Sequence, residues 1–368
     1  MRGRRFTILA EMALPGKTSF ALARASFIIS DMNPERELHH SLDLCRPDGR
    51  LHPEAVGWSR RPLHRCNLHG RWPRKKRWNY WAITTETHLF SATVSHLDYA
   101  GLVFIYFADF EAGTLSEVTQ LIPLGRRCTL ADTVAADVHF ARPGLRVAMQ
   151  QTGSGVRLDV DVADFEGRPL SAHFTIITPP DHETLNVVVP WNEKTFQFTS
   201  KQNTLPAEGV VRLGQNETRF AGPQSFACLD FGRGIWPRDC RWNWGSASGA
   251  ENGRSVGLNL GGQWTDGTGS TENGWCVDGR LTKLSEELTW EYDRRRFMHP
   301  WRIVAPSGAA DLTFTPFLER VAASNVWLVR SEVHQLFGRY TGTITTSDGE
   351  TISIRGLVGW AEDHIARW

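Results

Sequence analysis

The sequence lacks most of the short motifs that identify enzyme and metal-binding classes. It has no GxSxG turn, which argues against an α/β-hydrolase, and no GxxxxGK[ST] phosphate loop. HExxH is also absent, and the 13 histidines are scattered without metal-ligand spacing. The runs GLNLGG and GTGSTENG are rich in glycine but have no following helical pattern, so neither predicts a dinucleotide loop. We therefore expect no metal and no cofactor.

Long apolar runs and an excess of one charge are missing too. No run of about 18 apolar residues is present, so no integral membrane span is predicted. Lys and Arg total 41 against 40 Asp and Glu, and a net charge of +1 gives no support for a nucleic-acid partner. The six cysteines form no CxxC pair, which predicts reduced thiols and a cytoplasmic location. Oligomeric state is left open.

The chain also lacks helical periodicity, and its pattern favours strands. Only LSEELTWEYDRRRF is ambiguous. RLDVDVADF alternates strictly between apolar and polar residues, as a half-buried strand does. TGTITTSDGETISIRG combines two such runs with a two-residue DG turn, which predicts a hairpin. Many short antiparallel strands predict an all-β protein of two tandem barrels or sandwiches.

A chain of 368 residues is too long for one typical core, so we expect two domains. The predicted β domains are residues 39–225 and 226–368, with Gly222-Pro223 as the joint. Residues 1–38 are expected to be a weakly structured extension or targeting segment. Its apolar run is broken by Glu11 and Pro15, and Met32 is an alternative start.

Tryptophan is the most unusual feature of the composition. Five of the 15 tryptophans lie between Asp230 and Trp275, together with several Asp, Glu and Arg residues and many glycines. Amphipathic rings, paired charges and a permissive backbone are what a polar-tipped pocket in an aromatic wall requires. The alternative is a structural Arg–Asp network that joins two sheets. A second basic, Trp-containing run, residues 71–78, suggests either a nucleic-acid patch or Arg and Lys stems that cover indole faces.

Several motifs carry a resemblance to a known family. LCRPDGRLHPEAVGWSRRPLHRCNL, WNYWAITT, LDYAGL, FGRGIWP, WNWGSASG, GLNLGGQWTDGTGSTENG and GWAEDHIARW together resemble the bacterial family DUF2804, from about residue 43 to 368. More distantly, the chain is similar to dual calycin-like proteins such as carotenoid 1,2-hydratase. The first resemblance implies no activity. The second implies two tandem calycin or lipocalin-like domains, and no residue of those enzymes is carried over.

Acid–base chemistry is what the remaining polar residues could support. Asp230 is the predicted acid or base, because a carboxyl held against indole rings has its pKa raised. Arg233 and Arg241 are its predicted charge partners, and His364 is a predicted proton shuttle. The other predicted ligand-binding residues are Trp236, Trp242, Asn243, Trp244, Trp264, Asp266, Glu272, Asn273 and Glu362.

Three functions remain open at this point. The first is a cofactor-independent hydratase, isomerase or cyclase acting on a hydrophobic small molecule. The second is a non-catalytic carrier of a lipid-like or terpenoid-like ligand, which needs the aromatic walls but not the acid. The third is a structural protein whose charged network only joins the domains.

Overall fold

The computed structural model describes residues 35–326 and 329–367. Residues 1–34, which make up nearly all of the predicted N-terminal extension, lie outside the described residues. The described part contains strands, turns and one short 3₁₀ helix, Pro53–Ala55, and no α-helix. None of its helices is long and apolar enough to cross a membrane. The prediction of an all-β protein is confirmed.

The first large sheet has 13 strands. Ten of them follow the order β7-β6-β5-β4-β15-β13-β11-β10-β9-β8; β12 and β14 pair with β13, and β2 pairs with β12. A small parallel pair, β1 and β3, lies outside it. The strands of this half are β1 Leu42–Asp43, β2 Trp58–Ser59, β3 His64–Arg65, β4 Lys75–Thr84, β5 His88–His96, β6 Ala100–Asp109, β7 Thr114–Pro123, β8 Val138–Arg142, β9 Leu145–Thr152, β10 Gly155–Phe165, β11 Arg168–Ile177, β12 Leu185–Asn192, β13 Thr195–Leu213, β14 Asn216–Phe220 and β15 Phe226–Ile235.

The second sheet has nine antiparallel strands in the order β19-β18-β17-β16-β24-β23-β22-β21-β20. Its strands are β16 Asp239–Glu251, β17 Arg254–Gly262, β18 Asn273–Val277, β19 Arg280–Leu284, β20 Thr289–Glu291, β21 Trp301–Val304, β22 Ala310–Val326, β23 Val329–Thr345 and β24 Thr351–Arg367. Two successive antiparallel sheets agree with the expected two-part β architecture. Sheet membership changes between Ile235 and Asp239, and the predicted boundary near residue 225 stays a prediction.

Side chains alternate from one face of a sheet to the other along a strand, so the two faces of each sheet have different surroundings. One face of the first sheet holds a large core that includes Phe90, Phe174 and Phe231. One face of the second sheet holds its own core around Trp301 and Tyr340. The remaining faces pack against each other in a third apolar cluster. Its members from both sheets are Tyr80, Ala82, Leu89, Tyr106, Ala108, Cys228, Trp244, Phe337 and Trp360.

The core of the first sheet provides a test of the fold. Phe174 is fully buried and packs against Phe90 and Phe220, with ring centroids 5.3 and 5.2 Å away. Phe174→Ala should lower the free energy of unfolding by about 3–5 kcal/mol, because it leaves a cavity in a packed core. Chemical denaturation measures this. Ile177→Ala, at a position 42% exposed, is the control and should change it by less than about 1 kcal/mol. Equal effects would contradict the core assignment.

Candidate functional site: a buried polar row between the two sheets

A row of polar side chains crosses the interface between the two sheets. In the first sheet Lys201 of β13 lies directly opposite Asp230 of β15, which lies opposite Tyr80 of β4. In the second sheet Trp244 of β16 lies opposite Glu362 of β24. Because directly opposite residues point to the same side of a sheet, each set forms a continuous line on the face turned toward the other sheet.

Lys201 is the cation at the centre of this row. Its Nζ lies 3.0 Å from Oδ1 of Asp230 and 3.2 Å from Oε2 of Glu272, and it sits 4.2 Å above the ring of Trp244. Burial lowers the pKa of Lys201, but the two adjacent carboxylates outweigh burial and raise the pKa above its ordinary value. Lys201 is therefore charged, and it links β13 and β15 of the first sheet to the second sheet.

Three buried carboxyl groups in this region each accept a hydrogen bond from an indole N–H. Trp78 donates to Asp230 at 3.0 Å, Trp264 donates to Glu272 at 2.9 Å, and Trp242 donates to Glu362 at 2.9 Å. An indole N–H can donate but cannot accept, so it suits a carboxyl oxygen in either protonation state. We call Asp230, Glu272, Glu362 and Lys201 the carboxyl cluster.

The three carboxyl groups have different surroundings. Asp230 accepts a further hydrogen bond from Thr199 Oγ1 at 3.3 Å besides its ion pair with Lys201. Burial raises the pKa of Glu272, although Lys201 opposes that effect. Burial also raises the pKa of Glu362, from 4.5 to about 7, because the indole N–H and the more distant cations only partly compensate for lost hydration. Glu362 is thus a group that can carry a proton near neutral pH.

Indole rings form a continuous wall beside the carboxyl cluster. Trp236 lies at its centre, stacked on Trp264 with centroids 5.7 Å apart, and it meets Trp242 edge-on at 5.5 Å. Trp191 and Trp78 complete the wall at 5.1 and 5.9 Å from Trp236. These rings are buried or half-buried. The wall presents large apolar faces next to the three carboxyl groups.

Two glycines make this approach possible. A Cβ at position 232 would lie 2.1 Å from the ring of Trp78, and one at position 261 would lie 2.4 Å from the Cγ of Glu272. Both distances are far below van der Waals contact. Gly232 and Gly261 therefore allow Trp78 and Glu272 to lie flat against their strands, which explains part of the glycine content of this stretch.

A hydrogen-bonded tyrosine pair extends the row past Glu362. The hydroxyls of Tyr80 and Tyr106 are 2.7 Å apart, and that of Tyr106 donates to Oε1 of Gln335 at 3.1 Å. Gln335 lies opposite Glu362 in the β23–β24 register. Arg320 sits 4.7 Å over the Tyr106 ring and forms a two-point ion pair with Glu117. These groups form a polar border at this side of the row.

The structure brings together several of the residues that the sequence singled out. Asp230 and Glu272 meet at Lys201, Glu362 lies close enough to feel the charges of Lys201 and Asp230, and Trp236, Trp242, Trp244 and Trp264 lie beside them. His364 packs on Trp242 with centroids 3.9 Å apart, and its Nε2 is 2.8 Å from Ser331 Oγ. Burial lowers the pKa of His364 to about 3, so the ring is neutral at pH 7.

Other predicted residues lie elsewhere. Arg233 is fully buried on the opposite face of β15 from Asp230, where it donates to the Trp78 and Gly232 carbonyls and to Oδ1 of Asn79. Positions 230 and 233 differ by an odd number, so strand alternation separates them. Arg241 likewise points to the far face of the second sheet and pairs with Asp363 at 3.1 Å. Neither guanidinium is a charge partner of Asp230.

The remaining polar candidates have structural contacts. Asn243 donates to Tyr292 and to the Glu362 carbonyl, on the far side of β16. Asn273 accepts from the backbone N–H of Gly261 and donates to the Glu286 carbonyl. Asp266 is exposed and accepts from the N–H of Gln263 in a turn.

Sequence reasoning missed Lys201, Trp78, Thr199 and the tyrosine pair. The available signal was a lysine within TFQFTSKQN, a segment whose alternation indicates that Thr199 and Lys201 share one face with Gln197. A lysine inside a long buried strand needs an ionic partner. The sequence alone does not reveal which carboxylates, 29 and 71 positions later, supply it.

Clefts elsewhere in the described residues are more open than the carboxyl cluster. One of about 670 Å³ lies on the far face of the second sheet, lined by residues 294–299, His334 and Asp363 among others. Two more, of about 530 and 460 Å³, share Arg142 and Gly144. None of these three touches Asp230. The members of the carboxyl cluster are buried, and Trp78 and Trp242, which donate to it, are half-buried.

The raised pKa of Glu362 leads to a test in the absence of any substrate. A carboxyl whose folded pKa exceeds its unfolded value stabilises the fold at low pH, and that contribution is lost as the pH rises through the folded pKa. A rise from 4.5 to about 7 corresponds to about 3 kcal/mol. The difference in unfolding free energy between the wild type and Glu362→Gln should therefore fall by about this amount between pH 4.5 and 7.5. A difference independent of pH would contradict the assignment.

Comparison with known protein families identifies the family of this chain. The family model described as "Domain of unknown function (DUF2804)" matches residues 35–368, which confirms the resemblance seen in the sequence. The sequence matches none of the curated proteins.

Several solved structures are similar to the chain at low identity. A protein described as an AttH, from Nitrosomonas europaea, is 14% identical, with a TM-score of 0.46, over 79% of this chain and 92% of that one. Kievitone hydratase from Nectria haematococca is 10% identical, with a TM-score of 0.45, over 80% and 89%. CghA with Sch210972 is 10% identical, with a TM-score of 0.40, over 80% and 89%. Likenesses this distant carry no information about activity. The match over residues 35–368 nevertheless means that this chain belongs to the DUF2804 family.

Proposed function

We propose that the carboxyl cluster is an acid–base catalytic site that acts, without a cofactor, on a hydrophobic small molecule containing a carbon–carbon double bond. The reaction would be hydration, dehydration, isomerisation or cyclisation. The observation that carries this proposal is Glu362, a buried carboxyl with a pKa raised to about 7, held by an indole N–H beside two carboxylates that share Lys201. Acid–base sites characteristically hold several carboxyl groups in unlike environments, so that the groups differ in pKa.

The proposed roles follow from protonation state. Glu362 donates its proton to one carbon of the double bond, whose electron pair forms the new C–H bond and leaves a cation on the neighbouring carbon. Water then adds to that carbon, and Asp230 takes the proton that the water loses. In an isomerisation, Asp230 instead removes a proton from the adjacent carbon. In both cases the surplus proton on Asp230 and the deficit on Glu362 are restored through solvent.

The aromatic wall suits the same chemistry. A cation that develops near an indole face is attracted by the ring quadrupole, by about 2 kcal/mol or more where water is excluded. Trp242, Trp244 and Trp264 present such faces next to Glu362 and Glu272. We propose that the ligand enters between Trp78 and Trp242, two half-buried members of the wall that each donate to the carboxyl cluster, and that these rings move apart to admit it.

Lys201 has a supporting role in this scheme. It is bound to Asp230 and Glu272 and is not a proton donor at neutral pH, because these carboxylates raise its pKa. Its charge keeps Asp230 available as a base while Glu362, farther from the cation, retains its proton. A structural network would need the ion pairs but would have no use for a carboxyl that titrates near pH 7.

The first test uses solvent exchange, because any reversible step of this kind exchanges protons between ligand and water. Small molecules that co-purify with the protein are identified by native mass spectrometry and incubated with it in D₂O. The wild type should introduce deuterium into the ligand. Glu362→Gln should bind the same ligand but exchange it about 10²–10⁴ times more slowly, since loss of a general acid typically has this effect.

The control for this test is Glu251→Gln, which changes another buried carboxyl. Glu251 accepts a hydrogen bond from the Arg355 N–H and is not part of the carboxyl cluster, so its variant should exchange at the wild-type rate. Binding without exchange in the wild type would contradict catalysis and favour a carrier. Absence of any bound small molecule, together with no binding of an apolar fluorescent probe, would favour a purely structural network.

Asp230→Asn separates the two functional roles further. Trp78 and Thr199 donate to different oxygens of Asp230, so the single amide oxygen can still accept from one of them, but the amide cannot take a proton or balance Lys201. We expect deuterium exchange to fall by at least about 100-fold while the apolar probe still binds. In the same assay, the rate of the remaining exchange should no longer show the decrease at low pH that protonation of a catalytic base causes. Unchanged exchange would exclude Asp230 as the base.

A further inference from the structure

One end of the first sheet exposes large apolar side chains. Trp72, in the turn before β4, is 67% exposed, and Leu124, just after β7, is 54% exposed. Leu121 of β7, near the same end, is 62% exposed. Single exposed apolar residues are ordinary, but a group of them on one surface usually marks an interaction site.

Hydrogen bonds and register place these residues at the same end. The N–H of Lys75 donates to Asp98 at 3.0 Å, and the N–H of Leu124 donates to the Tyr99 carbonyl at 2.9 Å. The loop between β5 and β6 therefore lies between the Trp72 turn and Leu124. Lys75 is also the register partner of Ile235 at the end of β15.

The same end carries a set of cations, which we call the basic rim. It is formed by the loops that end β7, precede β4, follow β15 and join β12 to β13. Its members are exposed or half-buried, and none has an ion-pair partner within residues 35–326 and 329–367. They are Arg71, Arg74, Arg126, Arg127, Lys194 and Arg238.

Three acidic groups near the rim are already paired. Asp98 lies 3.6 Å from Lys75 Nζ, and Glu193 lies 2.8 Å from Arg50 NH1. Asp239 pairs with Arg367 at 3.4 Å. The rim therefore has a local excess of positive charge although the whole chain is nearly neutral. Neighbouring strands are about 4.8 Å apart, so the loops from β7 to β13 cover about 24 Å measured along the sheet.

The rim adjoins the aromatic wall. The backbone N–H of Trp236, whose side chain is the central ring of the wall, donates to the Arg74 carbonyl at 3.3 Å. Trp78, proposed above to border the entrance, follows Lys75 in the same strand. A surface bound at this end would lie close to the entrance of the site.

We propose that this end of the first sheet, the basic rim with Trp72, Leu121 and Leu124, docks on an anionic lipid bilayer. Lipid fits better than nucleic acid because both kinds of side chain find partners there: cations meet anionic headgroups, and Trp and Leu enter the headgroup–acyl boundary. This surface goes beyond the proposed function, since docking requires no turnover. It would give a hydrophobic ligand a route from the bilayer to the aromatic wall.

The test is sedimentation of the full-length protein with two kinds of vesicle, pure phosphatidylcholine and phosphatidylcholine with about 30% phosphatidylserine. The wild type should bind the anionic vesicles preferentially, and added salt should weaken binding. A triple variant that changes Arg71, Arg126 and Arg238 to Gln should have a partition coefficient about 100-fold lower, because each basic side chain strengthens binding roughly fivefold. Trp72→Ser should weaken binding even at high salt, where the charge contribution is screened.

The matched control changes three exposed arginines away from the rim to Gln: Arg168 and Arg219 in the other part of the same sheet, and Arg302 of β21 in the second sheet. It alters the net charge equally and should leave vesicle binding near the wild-type value. Equal losses in the two triple variants would overturn the proposal, because binding would then follow overall charge. No binding to anionic vesicles, or binding to a duplex oligonucleotide in place of vesicles, would also overturn it. None of these outcomes depends on catalysis, so the solvent-exchange test of the proposed function remains independent.

Discussion

Three buried carboxyl groups lie near a single lysine between the two sheets, and this imbalance of charge governs the chemistry of the interface. Lys201 contacts Asp230 and Glu272 directly and lies over Trp244. If all three carboxyls were ionised, the cluster would hold two uncompensated negative charges away from water, at a cost of several kcal/mol each. Protonation of the carboxyl farthest from the cation relieves much of that cost. Glu362 occupies this position, and its pKa rises to about 7 chiefly because burial removes its hydration, with a smaller contribution from the charge of Asp230.

The architecture makes such a cluster possible. Each sheet satisfies its own core with one face, so the opposing faces are free to carry specialised side chains. Strand register then aligns Lys201 with Asp230 in one sheet and Trp244 with Glu362 in the other. Indole rings meet two needs together: they fill the interface with apolar area, and their N–H groups satisfy carboxyl oxygens that water cannot reach.

The sequence was informative about class and about the tryptophan-rich stretch. Alternation and DG turns predicted an all-β chain, and the density of indoles and carboxyls between Asp230 and Trp275 predicted where polar groups would be buried. The sequence could not supply partners across strands. Arg233 seemed close to Asp230 because they are neighbours in the chain, yet alternation places them on opposite faces. Lys201 was overlooked because its partners come from distant strands whose register only the fold determines.

The central claim is that Glu362 is protonated near neutral pH inside the interface, and isotope-edited infrared spectroscopy measures this directly. Protein labelled with ¹³C at the glutamate carboxyl groups, with Glu362→Gln as the subtraction reference, isolates the band of this one group. We predict a protonated-carboxyl band at pH 6 that disappears with a midpoint near pH 7. A carboxylate band that persists down to pH 5 would mean that Glu362 is ionised throughout, and it would contradict the account.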